Sequence, residues 1–323
     1  MAEPAPRPSG ADSGRAPTSP PAESAETASA PGTTSLAAGL IRTARPKQWM
    51  KNVLVAAAPG AAGILSHRSV IVDTIIAFVS FSLAASGTYF LNDALDVDAD
   101  RRHAKKRFRP IAAGVVPVGL AKGVGVVLLS AGIGVAFLAN WHLALVIGLY
   151  VAFTTSYSFW LKHVAVIDLG MVAAGFVLRL IAGAVAVDVR ISVWFIVVGS
   201  FGSLFMIAGK RHAEALEMGD DRAGFRATLD DYTAEYLGYV RSVSSGVAMV
   251  AYCLCAFDAQ IHHTGIVWFE VSIVPFVLAF LRYALLIERG QGGAPEDVVL
   301  KDRPLQVLAA AWVAIVAIGL YVV

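Results

Sequence analysis

Between Leu91 and Asp100 the chain reads Leu-Asn-Asp-Ala-Leu-Asp-Val-Asp-Ala-Asp, four carboxylates directly after a long apolar run. At 100° per residue, Asp93, Asp96 and Asp100 fall within about 60° of one another on a continuing helix. Asn92 borders them and Asp98 points the other way. Carboxylates gathered on one helix face at a membrane edge repel one another and need a counter-charge. Mg2+ supplies it, as a hard cation that takes oxygen ligands and keeps substrate phosphates in its remaining sites. Asn92, Asp93, Asp96 and Asp100 are therefore the candidate metal ligands. The three aspartates are also the candidate catalytic residues, acting on a metal-bound diphosphate. The plainer alternative is a solvated acidic turn balanced by neighbouring bases.

Those bases follow at once, as Arg101, Arg102, His103, Lys105, Lys106, Arg107 and Arg109. Acid beside base suits a metal–polyphosphate complex, with carboxylates for the metal and cations for the oxygens it leaves uncovered. Lys105 and Arg109 are the candidate phosphate contacts. The same run also serves as ordinary positive charge holding a loop on the cytoplasmic side.

The elements that carry these residues must cross a membrane. Of 323 residues, 57% are hydrophobic and only 15% charged, against about a quarter charged in a soluble domain. Mean hydropathy is +0.65. Apolar runs near 53–66, 70–91, 119–138, 142–160, 166–187, 193–209, 237–257, 266–286 and 306–323 approach the 20 or so residues of a spanning helix. The chain thus reads as an all-α polytopic membrane protein of about nine transmembrane helices. Pro59 marks the first span as tilted or broken.

Segments 42–51, 101–122, 162, 210–241 and 282–303 hold 21 of the 26 lysines and arginines, whereas the alternate connections hold only Arg68 and Arg190. This bias places the N-terminus and the acidic cluster on the cytoplasmic face of the plasma membrane. Residues 1–36, rich in Pro, Ser, Ala and Thr, read as a disordered cytosolic tail, and residues 37–323 as the catalytic domain. Gly170, Ala174, Gly175, Ala182 and Gly183 would let the fifth span pack closely. Cys253 and Cys255 diverge on a helix and read as apolar packing. His262-His263 reads as an outer surface turn and Trp49 as an interfacial marker. Arg179, in mid-membrane, needs a cavity or a partner, and an interhelix bond serves as well as a phosphate contact. No Walker loop or nucleophile elbow occurs, and no nucleic-acid partner is expected.

Asn92-Asp93-x-x-Asp96-x-x-x-Asp100 resembles the first aspartate-rich motif of the UbiA superfamily of intramembrane prenyltransferases. Arg107 to Gly114 and Arg45-Pro46-Lys47-Gln48-Trp49 also fit, and the likeness covers about residues 40–323. It implies a UbiA-like helical bundle whose polar cavity lies under a cytoplasmic cap and opens sideways to lipid. Most members carry a second aspartate-rich motif after the sixth span. Here that stretch opens Gly209-Lys210-Arg211-His212-Ala213-Glu214, with bases where acids are expected.

Lys210-Arg211-x-x-Glu214 and Arg45-Pro46-x-Gln48-Trp49-x-Lys51-Asn52 are similar to the actinobacterial decaprenyl-phosphate phosphoribosyltransferases. That resemblance implies a Mg2+-dependent transfer of 5-phosphoribosyl from phosphoribosyl diphosphate to a polyprenyl (decaprenyl) phosphate, toward the lipid-linked arabinose donor of the cell wall. It makes Lys47, Lys51, Lys210, Arg211 and Glu214 candidate substrate-binding residues, with Asn92, Lys105 and Arg109. Polar residues facing the family cavity add Tyr157 and Lys162, although Tyr157 and Trp160 also suit an interfacial belt. The competing enzyme reading moves a prenyl group to an aromatic acceptor. The competing non-enzyme reading is a lipid-phosphate transporter, disfavoured by the absence of internal repeats and broken midplane helices in the pattern. Membrane lipid is the surrounding partner, and a homo-oligomer is compatible with these features.

Overall fold

The computed structural model describes residues 35–103, 105–218, 231–262, 267–290 and 295–322. The expected tail lies outside these residues except at its end, where Ser35 caps helix α1 (Leu36–Ala44) by accepting from the Ala38 amide. Then come α2 (Ala57–Ala61), α3 (Arg68–Leu95), α4 (Val97–Arg102), α5 (Val118–Ala136) and α6 (Trp141–Phe159). The series continues with α7 (Ile167–Ala186), α8 (Val193–Met218), α9 (Ala234–His262), α10 (Trp268–Glu288), α11 (Pro295–Lys301) and α12 (Arg303–Tyr321). Among the described residues there is no strand.

Eight of these helices, α3, α5 to α10 and α12, are long and apolar enough to cross a bilayer. The first expected span takes another form. It is a 3-10 segment of 11 residues, Pro46–Ala56, running into the 5 residues of α2. Because a 3-10 helix rises about 2.0 Å per residue, the pair reaches about 30 Å, the thickness of the hydrocarbon layer. The irregularity expected around Pro59 is thus present, and the described helices long enough to cross number eight, close to the nine expected. Irregular backbone survives at such depth only where protein covers it.

Coverage comes from α3 and α7. Asn52 and Val55 are fully buried, Asn52 Nδ2 donates to Ser82 Oγ at 3.0 Å, and Trp49 Nε1 donates to Ser86 Oγ at 3.0 Å. Trp49 is thus tied into the bundle rather than serving only as an interfacial marker. Gly183 of α7 presses on the segment so closely that a methyl group there would overlap the Val55 carbonyl. This is the close approach expected from the small residues of the fifth span, concentrated at one position.

Helices α3 and α5 meet in the same way. A Cβ on Gly87 would lie 2.8 Å from the Gly125 carbonyl oxygen, and one on Gly132 would lie 2.9 Å from that of Ser80. Hydroxyls on α3 are satisfied within their own helix, Thr74 donating to Val70 O, Ser82 to Phe78 O and Thr88 to Ala84 O, which removes the cost of carrying them in an apolar medium. Asn140 caps α6 through the Leu143 amide and also donates to the Val185 and Ala186 carbonyls at the end of α7.

Arg179 finds its partners inside this core. Its Nε donates to Asn52 Oδ1 at 2.8 Å, Nη1 to Gly175 O at 2.5 Å and Nη2 to the Tyr150 hydroxyl at 3.3 Å. Phe81, Tyr150 and Phe176 surround the guanidinium with ring faces. The interhelix reading of Arg179 is the one the contacts support. Cys253 and Cys255 are free, half-buried thiols of α9. Of the expected outer turn, His262 ends α9 and His263 lies outside the described residues.

Candidate active site at one end of the bundle

Asn92 and Asp93 occupy the last turn of α3, where the expected continuous helix stops. Asp96 stands at the junction, its amide still bonded to Asn92 O at 2.9 Å, and a new axis begins with α4. The change of axis separates the aspartates. Asp93 and Asp100 are both buried and face the same guanidinium, whereas Asp96 is 44% exposed and Asp98 84%. Three aspartates on one continuous face is therefore corrected to two buried carboxylates with a third turned aside.

Arginines supply the counter-charge. Arg109 Nη1 donates to Asp93 Oδ1 at 3.0 Å and to Asp100 Oδ2 at 2.8 Å. Arg45 Nη2 donates to both oxygens of Asp93, at 2.7 and 3.0 Å, with its guanidinium carbon 4.6 Å from the centre of the Tyr89 ring. Arg45 reaches this position because it ends α1 in the left-handed conformation, at φ 52°, before Pro46 redirects the chain. Both arginines are about 30% exposed while Asp93 is 3% exposed. The acids lie beneath and the guanidinium forks stand at the surface. Such forks match phosphate oxygens in pairs.

Lys162, in the 3-10 turn Leu161–His163 between α6 and α7, reaches Asp96 Oδ1 at 3.5 Å. This turn thus joins the acidic cluster. Tyr157 lies half-buried on the last turn of α6 and Lys51 half-buried on the 3-10 segment. Lys47 and Lys105 are exposed and form no ion pair among the described residues.

On α8, Lys210 and Glu214 sit one turn apart with Nζ and Oε1 separated by 3.8 Å, as their spacing requires. Arg211 is turned inward and only 3% exposed. Its Nη1 donates to Glu214 Oε2 at 2.9 Å, and its Nε lies 3.4 Å from Asp168 Oδ2. Asp168, fully buried at the start of α7, accepts from the Tyr232 hydroxyl. That hydroxyl itself accepts from the Val166 amide at 2.6 Å. Val166 has φ 69°, a conformation that costs a β-branched residue about 1–3 kcal/mol. Burial and the bond to Asp168 hold the Tyr232 phenol above its ordinary pKa, so it keeps its proton.

Three participants, Arg45, Asp168 and Tyr232, were not among the residues singled out for the site. Arg45 stood in a recognised motif, but its basic neighbours Lys47 and Lys51 drew the assignment. An arginine placed just before a proline at a helix end was the available signal. Tyr232 carried no signal, being far from Asp168 along the chain.

No group of three or more His, Cys, Asp or Glu side chains converges tightly enough for a metal among the described residues. Asp93 and Asp100, which share one donor nitrogen, nonetheless form an all-oxygen pair. This suits a Mg2+ ion, which is commonly held by one or two carboxylates with substrate phosphates and water completing the shell.

Comparison with known proteins identifies the family. Residues 52–301 match the model of the UbiA prenyltransferase family. A decaprenyl-phosphate phosphoribosyltransferase of Corynebacterium glutamicum is 48% identical over 293 residues, covering 89% of this chain and 88% of the relative. The protein of the same name from Mycobacterium tuberculosis is 46% identical, covering 87% and 94%. Among solved structures, a UbiA homolog from Archaeoglobus fulgidus bound to GPP and Mg2+ superposes with a TM-score of 0.69 at 16% identity, covering 88% of this chain and 100% of that one. The matched stretch runs from within the first segment to α11 and takes in the site residues from Asn92 to Tyr232, and the chain belongs to the UbiA prenyltransferase family.

Proposed function

We propose that this protein transfers a 5-phosphoribosyl group from phosphoribosyl diphosphate to a polyprenyl phosphate, decaprenyl phosphate by analogy with its relatives. The observation that carries this reading is the 46–48% identity with curated decaprenyl-phosphate phosphoribosyltransferases over most of both chains. The site has the charge pattern such a donor needs. An oxygen of the lipid phosphate forms the new bond to ribose C1 as the bond from C1 to diphosphate breaks. Diphosphate leaves with the electron pair.

Asp93 and Asp100, with Asn92 and Asp96 beside them, are the residues that would hold a divalent cation, Mg2+ on the chemistry of the oxygen donors. When bound, it supplies charge neutralisation for the departing diphosphate. The half-exposed Arg45 and Arg109 are placed to grip phosphate oxygens, exchanging part of their pairing with Asp93 and Asp100 for the substrate. Lys162 and Lys210, each more than 30% exposed, border the same end and suit the donor's additional phosphate. The attacking lipid phosphate is already anionic near neutral pH, so no strong general base is needed. We place this end of the bundle at the cytoplasmic face of the cell membrane, on the lysine and arginine bias, and the product in the supply of a lipid-linked arabinose donor.

The test is direct. Purified protein with labelled phosphoribosyl diphosphate, decaprenyl phosphate and Mg2+ should yield lipid-extractable label, and chelation should abolish it. Absence of lipid label at every metal concentration removes the phosphoribosyl reading. Label incorporated only from a prenyl diphosphate would restore prenyl transfer.

A further inference from the structure

Tyr232, Asp168 and Arg211 are three polar side chains, each less than 5% exposed, at the end of the bundle that carries the site. A charge shut away from solvent either organises the fold or holds something in place. The surroundings of Tyr232 separate these roles. Its ring packs with Leu169, Ala173, Ile207 and Leu237 and stacks on Tyr236. That apolar packing fastens α7, α8 and α9 together without help from the hydroxyl.

The hydroxyl is used elsewhere. It receives the Val166 amide and donates to Asp168, so both of its bonds fall on the last residue before α7 and on that helix's first turn. Val166 is held at φ 69°, which a β-branched residue does not adopt unless something holds it there. Four residues earlier, the same turn carries Lys162, whose ammonium reaches Asp96. Beyond Asp168, the chain of contacts passes to Arg211 and on to Glu214, which also faces Lys210.

We propose that the Tyr232 hydroxyl is a positioning group for the transfer reaction, locking the strained Val166 turn so that Lys162 and Asp168 stand in register with the acidic cluster and with α8. This rests on the phosphoribosyl-transfer reading above. Tyr232 touches no reacting atom. Its effect reaches the donor through the turn, so its loss weakens donor capture and leaves the polyprenyl acceptor unaffected.

Tyr232→Phe keeps the ring and deletes only the two hydrogen bonds. The expected result is about a tenfold rise in KM for phosphoribosyl diphosphate, the scale of one lost bond to a charged group. KM for decaprenyl phosphate and kcat should change less than about threefold. Adding Val166→Gly, which adopts a positive φ without strain, should restore most of the donor KM, because the turn no longer needs the hydroxyl. Hydrogen exchange gives a reading independent of turnover: amides of Asp168 and Gly170, bonded to Val164 O and Val166 O, should exchange faster in Tyr232→Phe. Unchanged donor KM, equal losses for both substrates, or failure of Val166→Gly to restore binding each overturns the proposal. If the unaltered protein makes no lipid product, the donor reading falls. Exchange at Asp168 and Gly170 then still decides whether the hydroxyl locks the turn, and unaltered exchange sinks that as well.

Discussion

Asp93 shows how one side chain can be legible in type and misread in company. Its spacing from Asp96 and Asp100 pointed to a shared helix face, and a metal was expected to provide the opposing charge. The helix breaks at Asp96, and two guanidinium groups also face the carboxylate. Arg109 is the more exacting partner, because a single nitrogen serves two buried carboxylates. Arg109→Lys keeps the charge and loses the planar fork. It should leave the unfolding temperature in detergent near that of the unaltered protein and lower kcat/KM by about 10–100-fold, as initial rates would show. Undiminished kcat/KM would mean that the fork is not used on substrate.

The first span shows where element-level reasoning from sequence stops. Length, apolar content and Pro59 announced an irregular segment, but not that most of it would be 3-10. What makes that conformation tenable is the partner surface: Ser82 and Ser86 on α3, Gly183 on α7, and Asn52 held by Arg179. Gly183→Ala should force the segment off α7 and lower stability by about 1–3 kcal/mol, the usual cost of overpacking. The measurement is thermal unfolding in detergent. Gly170→Ala, where an added Cβ meets nothing within 4 Å, should have no such effect and serves as the comparison. Equal stability of the two variants would count against the tight contact.

Across the whole molecule, the side chains with chemistry gather at one end: the exits of α3, α6 and α8 and the entry to α7. Antiparallel crossings with short connections put alternate loops on opposite sides, so residues far apart in sequence share that end. Lys105→Cys and Asp188→Cys lie on loops of opposite side under the charge bias. In sealed cells an impermeant thiol reagent should label the second and spare the first; the reverse pattern would invert the orientation.

By itself the sequence determined the membrane class, the eight long apolar helices, and the position of the acidic cluster at the end of one of them. These follow from local quantities: the length of apolar runs, the helical angle between neighbours, and the cost of charge in lipid. Only the tertiary structure decided what the charges do to one another. Arg45 meets Asp93 from 48 positions away and Tyr232 meets Asp168 from 64. Arg211, next in sequence to a half-exposed lysine, turns inward to a buried carboxylate. The physical reason is distance: pairing energy depends on separation in space, and helix packing brings together residues that no local period connects.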